Sequence, residues 1–354
     1  MKVIYFGPIT PIGKISNGGF ESINRKIVDK LVELGVEVKE MSNPRIKRMV
    51  GGIGKLGYIS LLINPFCLLK YVRKKDVIIH ITPIDGPLIY ASAFTVFVAM
   101  ILHLPVLVDI HAGDFFYYFD KKGIIYKKVV KKMLLNASAI SIEGRAYKKQ
   151  LLERFSYKGE IFYFPNTAVC TNDKHIVNSK KNYGLFYFGR ITKGKGIDTM
   201  LELSNIMDER FHLYLDGAIT DGLNLKNIDV SKVTYLGRHS MSEIRDIMKE
   251  MTFFIFPSRH VGEGQSNSLI EAMEAGLIPI SSDQGFSEDV VADCGIVLSK
   301  SSSAKDYYKA LQQLCTQDLQ HLSSKCQEHI RKNHNVDIGI PRLVELYKRI
   351  LKTL

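Results

Sequence analysis

The chain has 354 residues, 46% of them hydrophobic and 24% charged, which supplies enough apolar material for a large core in about two domains. Five scattered cysteines without CxxC spacing exclude a disulfide framework or a zinc site built on them. The formal charge of +12 lies wholly in residues 1–168, which hold 25 Lys and Arg against 13 Asp and Glu; residues 169–354 hold 23 of each.

In chain order, Val3–Phe6 reads as a first buried strand, and the few apolar residues before Gly7-Pro8 do not make a secretory signal. Asn17-Gly18-Gly19 opens a helix with Ile23, Ile27, Leu31 and Leu34 on one face. Strand-like runs follow at Val36–Val38, Val77–Ile81, Val106–Ile110, Ala139–Ile142 and Ile161–Phe164. Leu56–Tyr71 is rich in Leu, Ile, Tyr and Phe, breaks at Asn64-Pro65 and runs into the basic stretch Lys70–Lys75. Leu88–Val108 carries no Asp, Glu, Lys or Arg and approaches the ~20 residues of a spanning helix. Pro105 interrupts it, so it reads as a buried helix followed by a core strand. Lys121-Lys122, Lys127-Lys128 and Lys131-Lys132 interleave with Tyr126, Val129, Val130 and Met133 as an amphipathic helix requires.

Thr171–Lys181 is polar and reads as a linker. A second set of strands follows at Leu185–Phe188, His212–Leu215, Val233–Leu236, Phe253–Phe256, Ile278–Ser281 and Gly295–Leu298. From Ala304 the chain reads as helices, with Pro341 at a helix start. Strands alternating with helices predict parallel sheets with crossover helices, and two such sets predict an α/β protein of two doubly wound domains.

Two motifs in the second half carry chemistry. After the strand ending at Phe188, Gly189-Arg190-Ile191-Thr192-Lys193-Gly194-Lys195-Gly196 presents a planar cationic fork and a mobile ammonium among three glycines, which suits a diphosphate. After Phe253–Pro257, Glu263 and Glu271 stand eight positions apart around Gly264-Gln265-Ser266-Asn267-Ser268-Leu269, a loop entering a helix that Gly276 ends. The N–H groups at such a start can hold a phosphate, Glu271 a ribose and Glu263 a sugar. The plainer reading makes Ser268 and Glu271 a capping box. His111 ends a strand whose C-terminus faces the crevice of such a sheet, and Asp114 and Arg145 are weaker candidates for an acceptor. The chain contains no Asp-x-Asp pair for a metal, no P-loop and no Gly-x-Gly-x-x-Gly after the first strand.

The order Gly-Arg-x4-Lys-Gly, Phe-Pro-Ser, Glu-x7-Glu resembles the donor-binding half of retaining glycosyltransferases of family 4, which have the GT-B fold. The resemblance extends to Ile280–Glu288, to Val3–Gly7 with Asn17-Gly18-Gly19, and to Pro165-Asn166. Departures are Thr167 in place of a glycine, Gln265–Ser268 in place of Phe-Gly-x-Pro, and Asp216-Gly217-Ala218 in place of Gly-x-Gly. The resemblance implies two Rossmann-like domains facing across a cleft: residues 1–168 for the acceptor, with a final helix at about 338–354 packing back on them, and residues 169–337 for the donor. It implies transfer, with retention, of a sugar from a UDP- or GDP-sugar to an acceptor hydroxyl, with no metal or other cofactor. Arg190 and Lys195 would neutralise the leaving diphosphate, and Gly18 and Gly19 would approach it. Glu263 and His111 would hold the sugar, while Ser266, Asn267, Ser268, Leu269 and Glu271 would complete the donor site.

The basic first half suits an anionic membrane surface better than nucleic acid, so the expected acceptor is a lipid-linked or membrane-presented glycan of surface polysaccharide assembly. The expected location is cytoplasmic, peripheral to the membrane. The alternatives are a GT-B nucleotide-sugar epimerase, or a non-catalytic protein binding nucleotide-sugars or nucleic acid.

Overall fold

A computed structural model describes residues 1–14, 19–42, 63–177, 183–220 and 231–352. Gly18, the basic run 45–48 and residues 56–62 lie outside the described residues. The chain forms two compact units, 1–165 with 336–354, and 166–335; the sequence reading placed the boundaries at 168/169 and 337/338.

The first unit holds six parallel strands in the order β2-β1-β3-β4-β5-β6. They are β1 (Lys2–Gly7), β2 (Glu37–Ser42), β3 (Val77–Ile81), β4 (Val106–Ile110), β5 (Ala139–Ile142) and β6 (Glu160–Tyr163). The Val- and Ile-rich runs of β3 and β4 are buried along their whole length, as strands covered on both faces must be. Val3, Tyr5, Ile78 and Leu107 form a core with Ile23, Ile27 and Leu31 of the helix Gly19–Glu33 and with Ile340, Leu343 and Tyr347 of the last helix, Val336–Lys352.

Two local expectations need correction here. Leu34 lies beyond the first helix and is exposed, because Gly35 with φ +76° turns the chain toward β2. Pro341 lies inside the last helix, not at its start. The helix tolerates the lost backbone bond because its buried stripe continues on both sides of the proline.

The second unit repeats the design with β7 (Tyr183–Phe188), β8 (Phe211–Asp216), β9 (Val233–Gly237), β10 (Phe253–Phe256), β11 (Ile278–Ser282) and β12 (Ile296–Leu298). All are parallel, in the order β12-β11-β10-β7-β8-β9. From β7 the chain winds outward through β8 to β9, then returns to the opposite side of β7 and winds the other way. The strand order therefore reverses between β7 and β10, and loops leaving the C-terminal ends of those two strands diverge into a crevice. Across the two strands Tyr187 stacks with Phe254 and Phe256, and Phe188 packs at a tilt against Phe254.

Residues 171–177 do not form the free linker expected from their polarity. His175 is buried and bonds the Met251 carbonyl at 3.0 Å, and Arg331 donates to the carbonyls of Thr171 and Asp173. Polar side chains of the neighbouring helices satisfy the backbone of this segment and hold it down.

Candidate functional site

The two sequence motifs of the second unit meet at the reversal point. Arg190 and Lys195 lie on the turn after β7, and Ser258 and Glu263 lie on the loop after β10. The turn is a short 3₁₀ helix, Lys193–Lys195, capped by Thr192, whose side chain accepts from the Lys195 N–H at 3.1 Å. The Arg259 N–H donates to the Gly194 carbonyl at 2.7 Å, and its guanidinium bonds Thr199 and pairs with Asp198, so the loop after β10 is fastened to the turn after β7.

Glu263 is buried. Its Oε2 accepts from Lys195 Nζ at 2.5 Å and from Ser258 Oγ at 2.8 Å, and the same ammonium lies 5.4 Å from the Phe256 ring centroid. Two residues 68 positions apart thus share one charge-neutral cluster. Arg190 is exposed, with its backbone carbonyl held by the Tyr187 hydroxyl at 2.8 Å.

The helix after Glu263 spans Asn267–Glu274, with Ser266 as its N-cap residue and no side-chain cap bond. Ser268 is therefore inside the first turn, and the capping box expected from Ser268 and Glu271 does not form. Ser266 Oγ turns to Ser268 Oγ at 3.0 Å instead. The N–H groups of Asn267, Ser268 and Leu269 have no partner within the helix, as at any helix start, and they carry the positive end of its dipole. Glu271 is half-buried one turn in, and Leu269 is fully buried beneath.

Residues that received no role from sequence alone complete the scaffold. Asn166 donates through Nδ2 to the Gln265 carbonyl at 2.8 Å and through its backbone N–H to Gln265 Oε1 at 2.9 Å, pinning the loop that precedes the helix start. A Cβ on Gly285 would stand 2.6 Å from the carbonyl oxygens of Glu263 and Gly264, so only glycine lets the loop after β11 support Glu263. At the end of β8, Asp216 is buried and its Oδ2 lies 2.5 Å from His239 Nδ1. That bond raises the His239 imidazole above its ordinary value, with burial opposing it. Gly217 has φ +136°, and a Cβ there would overlap the Gly189 carbonyl. This explains the single glycine retained in Asp216-Gly217-Ala218. Asp216 and Ser258 stand in motifs of the sequence, but no motif signals that they bond His239 and Glu263.

In the first unit, His111 follows β4 and is buried. Its Nδ1 lies 2.8 Å from Asp109 Oδ1, at an angle that does not make a hydrogen bond. Asp109 also accepts from Ser141 Oγ at 2.5 Å and lies 3.1 Å from His80 Nε2, and His80 Nδ1 lies 2.5 Å from the Tyr347 hydroxyl of the last helix. Burial would raise the Asp109 carboxyl, but His111 and His80 overcome it and hold it well below the usual carboxylate range. Burial would lower His111, but the Asp109 charge, helped by Glu143, holds it above its ordinary value. Gly19 begins the first helix. Asp114 is half-buried before the helix Phe115–Lys121. Arg145 is exposed and lies over the Tyr163 ring at 4.2 Å. Among the described residues, no three His, Cys, Asp or Glu side chains gather as ligands for a metal ion.

With this geometry in place, residues 182–317 match the family described as glycosyl transferases group 1, a segment within the second unit. An uncharacterized glycosyltransferase of Methanocaldococcus jannaschii is 26% identical over 196 residues, 54% of this chain and 53% of that protein. A GDP-mannose:cellobiosyl-diphosphopolyprenol alpha-mannosyltransferase of Xanthomonas oryzae is 34% identical over 110 residues, 28% of each chain. The matches thus span about half and about a quarter of those relatives' lengths. Among solved structures, a sucrose-phosphate synthase of Thermosynechococcus elongatus aligns over the whole of both chains with TM-score 0.73 at 16% identity. HepE of Anabaena, in complex with UDP, aligns over 99% of this chain and all of its own, with TM-score 0.72 at 14% identity. The fold is that of the GT-B glycosyltransferases.

Proposed function

We propose that this chain is a retaining glycosyltransferase that moves a hexose from a UDP- or GDP-sugar to an acceptor hydroxyl. The observation that carries the reading is the Lys195–Glu263 cluster beside the uncapped start of the helix Asn267–Glu274, at the strand reversal of one sheet. A leaving diphosphate set against that helix start would meet the guanidinium of Arg190, the ammonium of Lys195 and the dipole of the helix, and these lower the cost of the developing charge. Glu271 would bond the ribose hydroxyls. Glu263, already engaged by Lys195, would fix the ammonium and turn its free oxygen to the sugar. The resemblance assigns sugar contact to His111 and retention to the reaction, and metal independence follows from assigning the leaving-group charge to protein cations. Gly18 and Gly19 keep the phosphate-facing role that the resemblance gives them.

The family match on the second unit supports the reading, as do relatives that include a GDP-mannose enzyme and a structure holding UDP. The mannosyltransferase, by its name, acts on a diphosphopolyprenol-linked sugar. That supports a lipid-linked or membrane-presented glycan as the acceptor here. The test is a thermal-shift panel of UDP, GDP, ADP and their sugars, followed by turnover of the stabilising donor with and without acceptor. A bound donor raises the melting temperature by mass action. Donor consumption without acceptor would favour the epimerase, and stabilisation by none of the nucleotides would refute the donor site.

A further inference from the structure

The helix Leu88–Ile101 is not the buried helix its composition predicts. Tyr90, Phe97, Met100 and Ile101 are exposed, and Ala93 and Phe94 between them are half-exposed. These positions recur every three or four residues, so one whole stripe of a helix without a single charged residue faces outward. The stripe continues on both sides. Phe94 packs edge-on against Phe66 of the 3₁₀ helix Asn64–Tyr71, whose Phe66 and Leu69 are also exposed. Tyr90 packs edge-on against Tyr126 of the helix Ile124–Leu135 and lines a hollow of about 570 Å³ with Ile124 and Ile125. Ile124 and Ile125 are 70% and 71% exposed, the values that make them candidates for insertion. Farther along that helix, Ile125, Val129 and Leu135 line a second hollow, of about 430 Å³, with Lys128, Lys131 and Lys132.

The apolar strip is bordered by cations. Lys128, Lys131 and Lys132 are exposed on one side, and Lys70, Arg73, Lys74 and Lys75 on the other. Neither 121–135 nor 64–75 contains an Asp or Glu. Of the acids flanking the strip in sequence, Asp76 is exposed next to Lys75, Asp85 is bonded to Tyr126 and pairs with Lys122, and Asp120 pairs with Arg154. The helix Leu88–Ile101 has 14 residues, and no described helix is long and apolar enough to cross a membrane.

We propose that this face of the first unit lies on an anionic bilayer surface, with Ile124, Ile125, Tyr90, Phe97 and Ile101 entering the headgroup–acyl boundary and the two lysine clusters meeting lipid phosphates. An apolar strip edged by lysines matches such a surface in both respects, whereas a neutral protein partner would leave the cations unpaired. The assignment rests on the first unit alone and stands apart from the donor reading of the second.

The experiment is co-sedimentation of the full chain with vesicles of phosphatidylcholine alone and of phosphatidylcholine with phosphatidylglycerol. The chain should pellet with the anionic vesicles and be released by salt. Replacing Lys128, Lys131 and Lys132 with Gln should lower the partition coefficient by roughly a hundredfold, at about 1 kcal/mol per lysine. Replacing Ile124 and Ile125 with Asp should abolish pelleting. Both variants change exposed side chains, so their melting temperatures and their response to UDP should match the parent, separating this proposal from the donor reading. Failure of the parent to bind, or parental binding by both variants, would overturn it. So would a dimer in size-exclusion chromatography that the Ile124→Asp/Ile125→Asp variant dissociates, since the occupant would then be a second copy.

Discussion

Removing the ammonium at position 195 should cost stability, and restoring charge balance should recover part of it without recovering activity. Lys195 Nζ stands 2.5 Å from Glu263 Oε2, and the two side chains retain 14% and 8% of their exposure. The gross attraction at that distance is about 6–7 kcal/mol for an effective dielectric of ~20, offset by several kcal/mol of desolvation for each ion. The net value of the pair is therefore small, but Lys195→Met leaves a buried carboxylate bonded to Ser258 Oγ with no cation beside it. Breaking a buried pair in this way costs about 3 kcal/mol, the lower end of the usual range because the site is not fully dry. In a unit of this size that lowers the melting temperature by roughly 6–12 °C. Glu263→Gln should cost less, since the amide oxygen still accepts a bond. The double variant should be more stable than the sum of the single losses by about 2 kcal/mol, because no charge is stranded. Scanning calorimetry of the four proteins measures the cycle, and donor turnover measured in parallel should be lost in all three variants. Additive losses, within about 0.5 kcal/mol, would refute the pair. Turnover retained in Lys195→Met would refute its role in the reaction.

Further expectations follow from the same geometry. Gly217→Ala combines a positive φ with overlap on the Gly189 carbonyl, so it should cost about 3 kcal/mol or more in denaturant unfolding, whereas Gly13→Ala, also at positive φ but in open space, should cost only the backbone strain of about 1–2 kcal/mol. His239 titrates above its ordinary value because of Asp216, so its stabilising contribution is complete below about pH 6.5 and fades as pH rises through the raised folded value. Asp216→Asn should abolish that pH-dependent component of the melting temperature, and an unchanged profile would exclude the bond. Asp109→Asn should lower the His111 titration midpoint, followed by NMR, because the charge that outweighs burial is gone. The same substitution should remove an acid-sensitive contribution of Asp109, present above about pH 3.9 and lost as pH falls through its depressed folded value.

Much of the fold was legible because it is written locally. The strands are runs of β-branched and aromatic residues, and their alternation with helical stretches specifies a parallel, doubly wound sheet whatever lies elsewhere. The glycine-rich turn at 189–196 and the two glutamates were legible for the same reason, since residue type and spacing fix what such a loop can present. Sequence did not give the partner of Glu263, the roles of Asn166 and Gln265, or the Asp216–His239 bond, because each joins residues brought together only by the reversal of strand order or by neighbouring strand ends.

The exposed stripe of Leu88–Ile101 shows the opposite failure. An uncharged helix reads as buried on composition, yet burial depends on what packs against each face, and only one face of this helix meets the sheet. The capping box that Ser268 and Glu271 offer locally does not form for a related reason: with Gln265 bound to Asn166, the loop enters the helix at Ser266. Residue type and period determine the chemistry available to this chain; tertiary structure decides which groups meet, because contacts between distant residues depend on the order in which the strands are laid side by side.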